Sequence, residues 1–235
     1  MSFRFKQFIV NDDRCAMKVG TDGVLLGAWT PLTTNDQRPT TILDIGTGSG
    51  LIALMLAQRC PPAHIDAIDI DPDAVSQAAD NFAASPWSDR LHAQCTALQK
   101  YQISNIKYQI ITSNPPYFVD SLKNPDKLRQ TARHTDTLSY SDLLSGAARL
   151  LADNGTFAVI LPADAETTFL ALAEEHELFP AQLTYVHPTP AKQPKRILIA
   201  LKKHVTDCSV THFNISSLDS PRSPEYQALT ADFYL

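Results

Sequence analysis

From residue 41 to residue 177 the chain alternates short β-branched runs with longer helical stretches, and few folds accommodate that rhythm. A strand that returns through a helix to another strand makes a parallel sheet covered on both faces. Residues 41–45, 65–70, 91–95, 108–113 and 157–161 read as strands, and residues 51–58, 74–84, 141–151 and 164–177 as helices. Asp153-Asn154-Gly155 is the expected stop of the third helix. Residues 183–186 and 197–201 flank a loop of Pro and Lys with no helix between them, so they are expected to pair as an antiparallel hairpin at the sheet's end. The sum is an α/β fold with a seven-stranded, mostly parallel sheet.

Periodicity fades from His204, where Ser, Asp and Pro gather, and a surface-hugging tail over 204–235 is expected. Residues 1–203 then form one domain, a size common for this class, with residues 1–35 covering the ligand site. No segment approaches the ~20 continuous apolar residues of a membrane span, and the first residues lack a secretory signal, so a cytoplasmic location without membrane association is expected. Cys15, Cys60, Cys95 and Cys208 stand far apart without metal-like spacing; reduced thiols and no metal follow. A monomer is expected. The net charge of −5 argues against indiscriminate nucleic-acid binding, yet leaves room for a basic patch on one face.

Asp44-Ile45-Gly46-Thr47-Gly48-Ser49-Gly50 follows the first strand of the repeat and opens a helix, the place where open α/β sheets bind ligands. The spacing is G-x-G-x-G behind an acid, not the G-x-G-x-x-G that cradles a pyrophosphate, and negative charge there repels phosphate. Asp44 could attract an ammonium group while the helix N-terminus attracts a carboxylate, a pairing suited to an amino-acid ligand such as methionine. A purely structural turn remains the alternative. Asp69 ends the next strand 25 residues on, near the spacing of a carboxylate that reads ribose hydroxyls, with Ile70 beside it. Asp71, before Pro72, reads as a helix cap.

Asn114-Pro115-Pro116-Tyr117 lies directly beyond the fourth strand of the repeat and is the candidate catalytic motif. Its prolines fix the backbone and remove two N–H donors, so carbonyls and the Asn114 side-chain oxygen are left to accept. Acceptors select an amino donor. An exocyclic adenine nitrogen is a poor nucleophile; bonds from its two protons to Asn114 and the Pro115 carbonyl would favour a pyramidal nitrogen whose lone pair faces a methyl donor. In-line positioning then supplies most of the catalysis without a covalent intermediate. Tyr117 offers a flat face for a flipped-out base. The blander reading, that the prolines merely end a strand, leaves the coincidence with the glycine loop unexplained.

These motifs together resemble the amino-directed class I methyltransferases. Arg14-Cys15-Ala16-Met17-Lys18-Val19-Gly20-Thr21-Asp22-Gly23 and its continuation to Trp29, with Ala132-Arg133-His134 and Pro194-Lys195-Arg196, is similar to the bacterial tRNA1(Val) adenine-37 N6-methyltransferase family. The resemblance covers most of residues 8–202. It implies a Rossmann-like class I methyltransferase fold, S-adenosyl-L-methionine as cofactor, and methylation of N6 of the adenine next to the anticodon of a valine tRNA. By matching positions, Gly46, Gly48 and Asp69 would bind cofactor, with Asp44, Thr47, Gly50, Ile70 and Asn114 around them. Lys18, Thr21 and Asp22 would line or cover that pocket, although Thr21 or Asp22 could equally cap a helix. One departure is Ala97, where related enzymes often place an acid that contacts the cofactor's adenine.

An anticodon loop presents splayed bases and phosphates, so Lys123, Lys127, Arg129, Arg133, Lys195 and Arg196 are expected to form a basic rim for RNA. Three rivals remain: a methyltransferase for a protein glutamine amide, one for amino groups of ribosomal RNA or DNA bases, and a non-catalytic RNA-binding module.

Overall fold

The computed structural model describes residues 2–32, 40–102, 107–116 and 138–235. Its centre is the expected parallel sheet: β3 (Thr41–Ile45), β4 (His64–Asp69), β5 (Leu91–Cys95), β6 (Tyr108–Ser113) and β7 (Leu151–Pro162). The hairpin is also present as β8 (Phe179–His187) and β9 (Arg196–Lys202), antiparallel to each other, with β9 antiparallel to β7. A small sheet of β1 (Ser2–Arg4) and β2 (Ile9–Asn11) opens the chain.

Two expectations are corrected here. The main sheet has eight strands among the described residues, in the order β10-β8-β9-β7-β6-β3-β4-β5, because β10 (Ser209–Asn214) from the aperiodic tail pairs in parallel with β8. The hairpin therefore does not form the sheet's edge. An edge strand is recruited by its neighbour's free backbone groups and needs no hydrophobic alternation of its own. The tail continues into a helix (Pro224–Thr230) whose Tyr226, together with Phe233, is buried in the core. The second correction concerns Asp153-Asn154-Gly155, which does not end a helix. The preceding helix stops at Leu150, and the three residues form a bulge inside β7, where the register steps from Tyr108↔Leu151 to Ile110↔Thr156.

Six helices occur among the described residues: α1 (Thr21–Trp29), α2 (Leu51–Arg59), α3 (Pro72–Ala83), α4 (Tyr140–Leu150), α5 (Glu166–Glu175) and α6 (Pro224–Thr230). Helices α1, α2 and α3 pack on one face of the sheet and α4 and α5 on the other, giving two apolar clusters. Every residue of α2 from Leu51 to Ala57 is buried, since α1 covers the side turned from the sheet. Gly27 makes this approach possible, because a Cβ there would stand 2.8 Å from the Met55 sulfur. Each large apolar side chain buried here contributes roughly 1.5–3 kcal/mol.

The topology positions the site. From β3 the chain runs outward to β4 and β5, then crosses back to β6 on the other side of β3. The carboxyl ends of β3 and β6 lie side by side at this reversal, with Ile45 paired to Ser113. Such a switch point opens a crevice for a ligand.

Candidate active site

The loop after β3 takes the sharp course its glycines allow: φ is +71° at Gly46, +55° at Gly48 and +81° at Gly50. Only glycine adopts these values without strain. A Cβ on Gly46 or Gly48 would meet nothing within 4 Å, whereas one on Gly50 would stand 2.5 Å from the Phe82 ring. The first two glycines therefore face open space, and the third is required by packing. Gly46 and Thr47 N–H donate to the Ile68 carbonyl at 2.8 and 3.1 Å, which ties the loop to the end of β4.

That open space is a cavity of about 1130 Å³. Its walls are the glycine loop, residues 68–71, residues 95–100 after β5, residues 15–23 of the N-terminal segment, and Asn114 and Pro116. Asp69 lines it and holds the loop from below, accepting from Gly48 N–H at 2.9 Å and from Asp71 N–H at 3.1 Å. Its neighbour Ile70 is 54% exposed and presents apolar surface to the same cavity. Asp71 caps α3 as its sequence context indicates, accepting from Asp73 N–H at 2.9 Å.

Asp44 is set differently from the expectation of a ligand contact. It is fully buried and does not line the cavity; its carboxylate accepts from Thr47 Oγ1 at 2.7 Å and Thr112 Oγ1 at 3.0 Å. Strand alternation turns it beneath α2 rather than out of the sheet's edge. Burial pushes its pKa up to about 6 against the bonds from Thr47 and Thr112, which favour the charged form. Thr112 and Ser113, whose Oγ donates to the Ile45 carbonyl at 2.9 Å, brace β6 against β3. Both were legible only as polar residues breaking an Ile-Ile run just before the Asn-Pro-Pro motif.

The N-terminal wall is held by polar contacts within itself. Lys18 Nζ donates to the carbonyls of Asp12 at 2.7 Å, Asp13 at 3.3 Å and Cys15 at 3.0 Å, so its charge shapes the loop while its residue lines the cavity. Neither Thr21 nor Asp22 caps α1; Gly20 occupies that position and makes no side-chain cap bond. Asp22 instead accepts from Arg196 Nε at 2.9 Å, clamping α1 to β9. Arg196, expected on an RNA-facing rim, is half-buried with its Nε on Asp22 in the cavity wall, whereas Lys195 is exposed. Ala97 lines the cavity, and its carbonyl accepts from Lys100 and Tyr101 N–H within a turn. Tyr117, Lys123, Lys127, Arg129 and Arg133 lie outside the described residues. No group of three His, Cys, Asp or Glu among the described residues could hold a metal ion, and no helix among them is long and apolar enough to cross a membrane.

Residues 29–177 match the methyltransferase small domain model. A tRNA1(Val) (adenine(37)-N6)-methyltransferase of Phocaeicola vulgatus is 50% identical over 233 residues, covering 99% of this chain and 97% of that protein. Its counterpart from Flavobacterium psychrophilum is 44% identical over 234 residues, with 99% of each chain covered. Among solved structures, a protein described as a predicted O-methyltransferase from Agrobacterium tumefaciens superposes with a TM-score of 0.69 at 17% identity, covering 90% of this chain and 96% of that one, a likeness of fold. The methyl donor is S-adenosyl-L-methionine. The cavity suits it: glycines whose missing Cβ atoms leave room for close approach, and a carboxylate at the end of β4 within reach of hydroxyls. The chain is a Rossmann-like class I methyltransferase and belongs to the tRNA1(Val) (adenine(37)-N6)-methyltransferase family.

Proposed function

We propose that this chain methylates N6 of adenine 37 in the valine tRNA named for its relatives, as a cytoplasmic monomer. The observation that carries this reading is the meeting of the glycine loop and Asn114-Pro115-Pro116 at the adjacent ends of β3 and β6, where Asn114 and Pro116 line one cavity with Gly46, Gly48 and Asp69. The relatives' printed names supply the substrate, and near-complete coverage of both chains supports its transfer.

S-adenosyl-L-methionine supplies an electrophilic methyl carbon. The protein's own part is to place and prepare a nitrogen. The Asn114 side-chain oxygen and the Pro115 carbonyl accept the two amino protons of the adenine, which localises the nitrogen lone pair. Proline at 115 and 116 keeps N–H donors out of that position and fixes the acceptors' direction. Asp69 takes the ribose hydroxyls while retaining the Gly48 and Asp71 amides that shape its loop. Holding the reacting atoms in line supplies most of the rate enhancement.

Asn114→Ala should abolish methyl transfer to unmodified tRNA and leave the calorimetric Kd for S-adenosyl-L-methionine within a few-fold of wild type. Near-native turnover in that variant would overturn the acceptor role. Transfer of label into peptide rather than RNA would overturn the substrate.

A further inference from the structure

On the far side of the sheet from β5, three rings form a row across β8 and β10. Tyr185 and His212, cross-strand neighbours, stack with centroids 5.2 Å apart and planes 21° apart; His187 and His212 follow at 5.3 Å and 38°. Hydrogen bonds fix the row. The Lys192 carbonyl can only accept, so His187 Nδ1 carries its proton and donates at 2.8 Å; His187 Nε2 then accepts from His212 Nδ1 at 3.0 Å. His212 Nε2 has no partner among the described residues. The Tyr185 hydroxyl donates to Glu166 at 2.7 Å, which keeps that carboxylate at the hydroxyl end of the ring.

The row opens to solvent at His212, while Tyr185 and His187 are half-buried and Tyr185 packs against the α4/α5 cluster. His212 is exposed, and Val210, on the same face of β10, is 56% exposed. An exposed, hydrogen-bonded imidazole backed by a stacked ring offers a preorganised flat face, the kind of surface on which unpaired bases stack. The loop 188–195 at its end carries Lys192 and Lys195, both exposed. Strand β8 runs parallel to β7 and β6, so His187 lies at the same carboxyl edge as Asn114. Strand β8 is three strands from β6 and β10 is four, which places the row about 14–19 Å from the catalytic motif at ~4.8 Å per strand. One RNA hairpin spans that separation.

We propose that the His212–His187–Tyr185 row, with Lys192 and Lys195, is a second contact surface for the RNA, where an unpaired base stacks on His212 and neighbouring phosphates meet the two lysines. The proposal rests on the tRNA reading above and adds to it a place of contact. None of these five residues lines the cofactor cavity, so binding of RNA and of cofactor separate experimentally.

The test is fluorescence anisotropy with unmodified tRNA alongside calorimetry with S-adenosyl-L-methionine. His212→Ala should raise the tRNA Kd by roughly five- to thirtyfold and leave the cofactor Kd unchanged, and His212→Phe, which keeps a stacking face, should bind within about threefold of wild type. Replacing Lys192 and Lys195 together by Ala should reduce the slope of log Kd against log salt by about one to two. Wild-type affinity in His212→Ala overturns the proposal, as does equal loss in His212→Phe or an unchanged salt slope. A wild-type chain that binds no tRNA overturns the tRNA reading itself, and this surface with it.

Discussion

Gly48 and Gly50 both adopt positive φ, yet alanine at the two positions should fail in opposite ways. At Gly48, φ of +55° makes a side chain cost about 1–2 kcal/mol, and nothing within 4 Å adds to that. For a chain of this length the melting temperature should fall by about 2–8 °C. The new methyl group would occupy the space into which the cofactor must come, and overfilling a packed site costs about 1–3 kcal/mol, a five- to 150-fold rise in Kd. At Gly50, φ of +81° brings the same backbone cost, but the Cβ meets Phe82 Cε1 at 2.5 Å, and Phe82 is buried in the apolar cluster it shares with α1 and α2. Backbone strain and overpacking together come to about 2–5 kcal/mol, or roughly 4–20 °C. Thermal unfolding and calorimetry with S-adenosyl-L-methionine at a temperature where both variants are folded read the two effects apart. Native cofactor affinity in Gly48→Ala would refute the close approach of cofactor to the loop. A fully stable Gly50→Ala would refute the packing account.

Asp69→Ala removes the acceptor for two loop amides and the expected ribose contact, so the cofactor Kd should rise at least tenfold by calorimetry; an unchanged value would remove Asp69 from the site. Asp44 titrates near 6 in the folded chain against an ordinary 3.8, so the fold prefers its protonated form. Its contribution is greatest below pH ~4, is lost as pH rises from ~4 to ~6, and amounts to about 3 kcal/mol. Urea unfolding should therefore show the stability of wild type relative to Asp44→Asn falling by that amount between pH 4 and pH 7; a flat difference contradicts the burial argument. For the clamp between α1 and β9, a double-mutant cycle of Asp22→Ala and Arg196→Ala should give a coupling of about 0.5–1 kcal/mol, and a coupling of zero would mean the pair does not join them.

Strands β3, β4 and β6 were legible because each carries isoleucines and runs into glycine, aspartate or the Asn-Pro-Pro motif, whereas residues 91–95 hold no β-branched residue and were placed by the alternating rhythm; residues 41–45, 91–95 and 108–113 fall on β3, β5 and β6 without shift. The glycine loop was legible for the same reason, since positive φ leaves few residue choices. Strand β10 was not: four of its six residues are exposed, and its place depends on the backbone of β8, a partner some 27 residues earlier. Direction of side chains was the other gap. Asp44 sits two residues before Gly46, yet alternation along β3 buries it beneath α2, and the register of β9 against β7 and β8 brings Arg196 Nε onto Asp22. Charge type and spacing are written in the sequence, whereas the face a side chain takes is decided by pairing between distant strands.

The central claim is tested most directly by incubating the chain with methyl-labelled S-adenosyl-L-methionine and total tRNA lacking the modification, then digesting the RNA and mapping the labelled nucleoside. N6-methyladenosine at position 37 of tRNA1(Val) is the predicted product. Label at another nucleotide, in DNA or in protein would contradict it.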